Sequence, residues 1–106
     1  MVKNGMRPVH PGEILLEEFM KTSEPPINAN RLAKALEVPA NRITAIMKGQ
    51  RGITGHTAVR LAAFCNTTAE FWMNLQKAYE LRLAERALPE KIRKHIEERR
   101  SVVFSA

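Results

Sequence analysis

Prolines divide this chain into short segments, and each segment carries apolar residues at helical spacing. Pro11 and Pro89 suit the first position of a helix, where the missing N–H of proline costs nothing. The prolines at 25 and 26 cannot continue a helix, and the residue before Pro39 is pushed out of the α region. No segment alternates between polar and apolar residues as a half-buried strand would. The sequence therefore predicts an all-α protein.

Capping residues and apolar periods predict where the helices lie. The first helix is expected from Pro11 to about Met20, and the second begins after a cap by Asn28 or Asn30. The third helix is expected from Pro39 to a left-handed stop at Gly49. The fourth helix is expected over Thr57 to Cys65, and the fifth from a cap by Thr67 or Thr68 to about Glu85. A sixth helix is expected from Pro89 onward. The predicted buried stripe of the first helix comprises Ile14, Leu15 and Phe19, with Leu16 beside them.

Helix five has a broad aromatic stripe that allows two interpretations. Trp72, Leu75 and Tyr79 share one face, with Phe71 and Ala78 beside them. Such a stripe at helical spacing is usually core, although Trp72 and Tyr79 could also stack on the bases of single-stranded RNA. We predict the core role.

The charge of the chain is +6, and it is unevenly distributed. Residues 26–60 carry +5 and residues 86–106 carry +3, whereas residues 11–25 carry −3. A basic region beside an acidic one suits a polyanion such as nucleic acid on one surface and a different partner on another. Excess lysine and arginine also keep small proteins soluble, and charge alone does not separate the two interpretations.

The sequence gives no indication of catalysis, of a cofactor or of a membrane. Cys65 is the only cysteine, which fits a reducing cytoplasm, and no run approaches the roughly twenty apolar residues of a membrane span. His10, His56 and His95 are far apart and show no zinc spacing, so we expect ordinary surface histidines, no metal and no enzyme.

Helices two and three are short, are joined by a few residues and predict a helix-turn-helix, in which the second helix enters the DNA major groove. The polar side of helix three carries groups that suit base edges, since asparagine pairs with adenine, arginine with guanine, and methyl groups with thymine. Any short helix has a polar side, so a plain surface helix is the alternative. The predicted base-reading residues are Ala40, Asn41, Arg42, Thr44 and Ala45.

Polar and basic groups around this face suit the phosphates of a duplex, as do the free N–H groups at helix starts. The predicted phosphate-binding residues are Asn30, Arg31, Lys48, Gln50, Arg51, His56 and Thr57.

Three stretches, "MRPVHPGEILLEEFM", "NRLAKALEVPANRITAIMKGQRGIT" and "TTAEFWMNLQKAYELRLAE", resemble HigA-type addiction-module antitoxins, a branch of the Xre and phage-repressor helix-turn-helix family. The resemblance covers about residues 6–85. It implies a five-helix core, a homodimer on the palindromic operator of its own toxin-antitoxin operon, and neutralisation of an mRNA-cleaving toxin. It places the recognition helix at residues 39–48.

The chain departs from the family pattern at three places. Glu37 occupies the turn position where the family usually has glycine, so either this backbone is not left-handed or a strain of about 1 kcal/mol is tolerated. Gly55 replaces a familiar acidic cap, and "KTSEPPINAN" is slightly longer than usual.

We predict a helix-turn-helix domain over residues 1–86 and a basic C-terminal extension over residues 87–106. Ile92 and Ile96 share a face of this extension but bury too little to hold a helix alone, so the helix needs the body, a second subunit or a ligand, and otherwise it frays. Leu81 and Leu83 are the predicted residues of a two-fold dimer interface.

The acidic segment gives a hypothesis about the toxin, because it would face away from DNA and attract a basic protein. Its residues are Glu13, Glu17, Glu18 and Glu24. A plain solvated face is the alternative. A stand-alone repressor, a protein-interaction module and an RNA binder that uses the basic tail are the other functions that the sequence leaves open.

Overall fold

The computed structural model describes residues 7–104, and all regular structure in that range is helical. Helix α1, Pro11–Ile14, continues without a break into a π-helical turn, Leu15–Met20. The remaining helices are α2, Ala29–Leu36, α3, Ala40–Met47, α4, Gly55–Cys65, α5, Ala69–Ala87, and α6, Glu90–Phe104. The predicted all-α class, with five helices and a helical extension, is confirmed.

The π turn was not predicted, and it changes which residues of the first helix are buried. Its i to i+5 hydrogen bond runs from the Lys21 N–H to the Leu16 carbonyl at 2.9 Å. In this geometry residues five apart share a face, so Leu15 and Met20 are both buried. Of the predicted stripe, Leu15 is fully buried, whereas Ile14, Leu16 and Phe19 are half-buried, and Leu16 and Phe19 pack against the core.

The helix caps settle the choices that the sequence left open. The Asn28 side chain, and not that of Asn30, accepts from the Arg31 N–H at 2.8 Å. Thr68 caps α5 by accepting from the Phe71 N–H at 3.0 Å. These caps satisfy N–H groups that have no partner inside their own helices.

The turn between α2 and α3 is left-handed at Glu37, with φ 58° and ψ 48°. The N–H groups of Glu37 and Val38 bond to the Lys34 and Ala33 carbonyls at 3.2 and 3.0 Å, which closes the end of α2. The chain therefore tolerates the strain of a non-glycine residue at this position.

The core joins the helix-turn-helix to the first and fifth helices. Helix α2 packs against α3 and α4, α1 packs against α3 and α5, and α4 packs against α5. Trp72 is fully buried, and its indole N–H donates to the Thr67 hydroxyl at 2.8 Å. This burial confirms the core role of Trp72 and removes it from any base-stacking surface. The fully buried core residues are Leu15, Ile43, Ile46, Ala58, Leu61 and Trp72.

Helix α6 has no buried residue. Ile92 and Ile96 are 44% and 57% exposed, so the body does not cover the apolar face of this helix, and its support by a second subunit or a ligand stays a prediction. The chain is elongated, with extents of 60 × 27 × 22 Å.

Candidate nucleic-acid interface

Helix α3 has one buried face and one exposed face. Ile43 and Ile46 are fully buried on the core side. Asn41 and Ala40 are exposed on the other side, near the start of the helix. A rigid helix held by two isoleucines thus presents an amide where it can reach another molecule.

The other predicted base-reading residues are less accessible. The Thr44 hydroxyl donates to the Ala40 carbonyl at 3.1 Å, which leaves its methyl group and its acceptor lone pairs for a ligand. Arg42 and Ala45 are half-buried. The Arg42 Nε is buried and has no hydrogen-bond partner within residues 7–104, so a base contact by Arg42 would come from its terminal nitrogens.

The polar and basic residues on either side of α3 are solvent-exposed, with one exception. No Asp or Glu occurs in the sequence between Glu37 and Glu70, so carboxylates within that stretch do not offset its positive charge. The exposed predicted phosphate-binding residues are Asn30, Arg31, Lys48, Gln50, Arg51 and His56.

Thr57 is the exception, because only 3% of it is exposed. Its hydroxyl therefore cannot reach a phosphate, and the prediction of a side-chain contact there was wrong. The period of α4 explains the burial, since Thr57 and Leu61 are four residues apart and lie on the same face.

Two buried polar side chains hold the segment that follows α3, and neither role was predicted from the sequence. The first is His10, which is only 7% exposed and is not the surface residue we expected. Its Nδ1 accepts from the Gly12 N–H at 2.9 Å and so caps α1. The Arg51 backbone is hydrogen-bonded to the same ring, which also contacts the edge of Tyr79 at 4.8 Å between centroids.

The second is Gln76, which is 7% exposed and faces the same segment from α5. Its Oε1 accepts from the Ile53 N–H at 2.7 Å, and its Nε2 donates to Glu80 Oε2 at 2.7 Å. A Cβ at Gly52 would lie 2.7 Å from the Gln76 amide nitrogen, so glycine leaves room for this contact. The signal available in the sequence was spacing, since Gln76 follows Trp72 by four residues on the buried face.

Helices α1 and α3 meet at backbone level. A Cβ at Gly12 would clash directly with the Ile46 carbonyl oxygen. Only glycine therefore allows the start of α1 to lie against the end of α3, and this contact fixes where Lys48 and the residues after it emerge.

We expect His10 to make stability depend on pH. Burial lowers the pKa of His10 below its ordinary 6.5, although the Arg51 backbone and Glu13 act in the opposite direction. The unfolded chain then binds more protons than the folded one, so this contribution is complete above about pH 6.5 and is lost as the pH falls. Urea unfolding at about pH 7.5 and about pH 5.5 should show a smaller pH dependence for His10→Gln than for the unsubstituted chain.

The exposed histidine of α4 provides the control for that experiment. His56→Gln makes the same substitution at a solvent-exposed imidazole. An identical pH dependence for His10→Gln and His56→Gln would contradict the role assigned to His10.

The predicted partner surfaces lie outside this face. Glu13 pairs with Arg7 at 3.0 Å and Glu17 with Lys21 at 2.8 Å, whereas Glu18 and Glu24 are exposed. Leu81 and Leu83 are 53% and 44% exposed in the single chain.

Within residues 7–104, no group of three or more His, Cys, Asp or Glu side chains is placed to hold a metal ion. None of the helices in that range is long and apolar enough to cross a membrane.

No protein-family model matches the chain, but curated proteins do. Virulence-associated protein I of Dichelobacter nodosus is 48% identical over 83 residues, which cover 78% of this chain and 75% of that protein. Antitoxin HigA-1 of Vibrio cholerae is 37% identical over 81 residues, which cover 76% and 74%.

Two solved structures are similar in both sequence and fold. A HigA-family addiction module antidote protein from Coxiella burnetii is 53% identical with a TM-score of 0.77, over 84% of this chain and 95% of that one. PA4674 of Pseudomonas aeruginosa, solved in complex with its 18-base-pair operator DNA, is 44% identical with a TM-score of 0.79, over 86% and 96%.

Proposed function

The chain belongs to the HigA-type antitoxins of the helix-turn-helix family, and from this we propose that it is a DNA-binding antitoxin. It binds the operator of its own toxin-antitoxin operon, represses that operon and neutralises the cognate mRNA-cleaving toxin. The observation that carries the proposal is the exposed polar face of α3, fixed from behind by Ile43 and Ile46. The operator complex of PA4674, which is 44% identical, supports the same use of this fold.

In this proposal α3 lies in the major groove and reads base edges. Asn41 is the most exposed polar group on the helix, and its amide can pair bidentately with adenine. The methyl groups of Ala40, Thr44 and Ala45 suit contacts with thymine methyls, and the terminal nitrogens of Arg42 suit guanine.

The exposed residues on both sides of α3 bind the phosphate backbone. Arg31 stands at the start of α2, where free N–H groups add to its charge. Lys48, Gln50 and Arg51 follow α3 directly, in the segment held by His10 and Gln76. Asn30 and His56 complete the set. These contacts supply affinity without sequence information, because every duplex offers the same phosphates.

A homodimer completes the function. Two copies would place their α3 helices in successive major grooves, roughly 34 Å apart on one side of a palindromic operator. Leu81 and Leu83, exposed apolar residues of α5, are our candidates for the two-fold interface. We assign DNA binding to residues 1–86 and regard residues 87–106 as a basic extension of that domain.

A DNA titration tests the proposal. Fluorescence anisotropy should show that a duplex from the chain's own upstream region binds at least about 10³ times more tightly than a scrambled duplex. Asn41→Ala should weaken the upstream duplex by about 1 to 3 kcal/mol, or roughly 5- to 150-fold, because it removes a bidentate base contact. Asn74→Ala, which removes an exposed amide from α5, should have no effect.

Salt dependence separates phosphate contacts from base contacts. Lys48→Ala should weaken both duplexes alike and reduce the slope of log K against log salt by about 1. Equal affinity for the upstream and scrambled duplexes, or tighter binding of single-stranded RNA, would refute the proposed function.

A further inference from the structure

A groove lies on the surface where the π turn meets the C-terminal end of α4. Its volume is about 380 Å³, and it is lined by Glu18, Phe19, Thr22, Ser23, Ile27 and Phe64. Cys65 also lines it. His56, one of the predicted phosphate-binding residues, lies at the other end of α4. An α-helix of 11 residues separates the two ends by roughly 16 Å.

Polar and apolar side chains both line the groove. Phe64, one of the lining residues, is 45% exposed. Phe19 joins this surface to the core, with its ring centroid 6.3 Å from that of Phe71 and 5.2 Å from that of the buried Trp72. Exposed aromatic rings are typical of sites that bind another protein.

The π turn shapes the wall of the groove and supplies its carboxylate. The Thr22 hydroxyl donates to the Glu18 carbonyl at 2.7 Å, and the Ser23 hydroxyl donates to the Phe19 carbonyl at 2.6 Å. The end of the turn is thus held by its own side chains. Short π-helical segments are rare in proteins and are often found at functional sites.

Charge distinguishes this groove from the face of α3. Neither Glu18 nor Glu24 has an ion-pair partner in the part of the chain that the structure describes. Glu18 lines the groove, and the segment 11–25, which supplies four of the lining residues, carries −3, whereas residues 26–60 carry +5. The carboxylate of Glu18, with the exposed Glu24 next to the lining residue Ser23, repels nucleic acid and favours a positively charged partner.

We propose that this groove is the docking site for the toxin, and that the toxin binds as a basic polypeptide with an apolar side chain seated against Phe64. Lysine or arginine side chains of the partner pair with Glu18 and Glu24. This inference rests on the proposed function, because a nuclease that binds RNA needs a positively charged surface. Since the groove and the predicted phosphate-binding residue His56 lie at opposite ends of α4, one chain can hold toxin and operator together.

The test uses the purified product of the basic reading frame next to this gene as the partner, and isothermal titration as the measurement. The double variant Glu18→Lys, Glu24→Lys and the single variant Phe64→Ala should each bind this partner at least about 10-fold more weakly. The affinity of these variants for the upstream duplex should stay within twofold of that of the unsubstituted chain. Their melting temperatures should stay within a few degrees of its melting temperature.

Helix α6 provides matched controls. Glu97→Lys with Glu98→Lys makes the same charge change on an exposed surface, and Phe104→Ala removes a phenyl ring that is 81% exposed. Both controls should bind the partner as the unsubstituted chain does.

Cys65 gives a readout that needs no substitution. Burial raises the pKa of the Cys65 thiol, so alkylation is followed at mildly alkaline pH. Mass spectrometry of the intact chain should show that the partner slows alkylation of Cys65 at least about 5-fold, whereas the upstream duplex leaves the rate unchanged.

The outcomes separate this inference from the function on which it rests. If the unsubstituted chain does not bind the upstream duplex specifically, the proposed function is refuted. Tight partner binding that the groove variants leave unchanged, or that the α6 controls weaken equally, refutes the docking site alone. Absence of a basic neighbouring reading frame also overturns it, as does dissociation of a homodimer by the groove variants, since a second copy would then occupy the groove.

Discussion

The Gly12→Ala variant is expected to lose about 3 kcal/mol of stability, because the added methyl group has no space. Its Cβ would clash with the Ile46 carbonyl oxygen, which belongs to backbone and cannot rotate away. Helix α1 must then move off α3, which also disturbs the His10 cap and the Arg51 backbone that this ring holds. Urea unfolding should show a lower midpoint, and operator affinity should fall as Lys48 and Arg51 are displaced.

Gly55 provides the matched control for that variant. A Cβ at Gly55 would meet nothing within 4 Å, and this residue is the first of α4. Gly55→Ala should therefore leave stability unchanged or raise it by up to about 1 kcal/mol, since alanine restricts the unfolded chain. If Gly12→Ala unfolded at the same urea concentration as Gly55→Ala, the close contact between α1 and α3 would be disproved.

The Trp72→Ala variant is expected to lose about 3 to 5 kcal/mol, the usual cost of deleting a buried tryptophan side chain. The indole is fully buried, packs against Phe19 and Phe71, and donates to the Thr67 hydroxyl at 2.8 Å. A loss of this size is a large fraction of the stability of a small domain. Thermal and urea unfolding, followed by circular dichroism, would measure it.

Met73 follows Trp72 in the chain and serves as its control. Its side chain is 37% exposed, so Met73→Ala should cost less than about 1 kcal/mol. Trp72→Phe should fall between the two, because it keeps an aromatic ring but leaves the Thr67 hydroxyl without its donor. A Trp72→Ala variant as stable as Met73→Ala would mean that the indole is not part of the core.

Together, the two substitutions examine how the body of the protein fixes α3. Trp72 holds α5 to the first helix through Phe19, and Gly12 holds the first helix to α3. From α5, Gln76 reaches the Ile53 N–H and fixes the segment after α3. A displaced core should therefore weaken DNA binding even though Gly12 and Trp72 are both buried.

Local signals in the sequence were sufficient to predict most of the helices. Asn28 and Thr68 cap their helices because a short polar side chain before a helix can accept hydrogen bonds from the first N–H groups of that helix. Asn66 ends α4 in the left-handed conformation at φ 58°, and Gly49 is left-handed at φ 73° after α3. Ile43 and Ile46 are buried as the helical period requires. Each of these features depends on residues within a few positions of one another.

The errors concern interactions between residues distant in sequence. His10 looked like a surface residue because nothing near it reveals that Tyr79 and the Arg51 backbone enclose it. Thr57 looked available to phosphate because its burial depends on the packing of α4 against the core. The resemblance to the family indicated a glycine at the Glu37 position, but only the backbone showed that a glutamate adopts the left-handed conformation there.

The sequence by itself determined the helical class, the position of α3 and the outward placement of Asn41, because capping, proline and apolar period act over one or two helical turns. The tertiary structure alone decided how that helix is held. The Gly12 contact with Ile46, the hydrogen bond of Gln76 to Ile53 and the enclosure of His10 join residues that are distant in sequence. Whether a glycine, an amide or an imidazole has a structural role depends on which backbone atoms lie against it in the folded chain. Helical periodicity does not encode these contacts between distant residues.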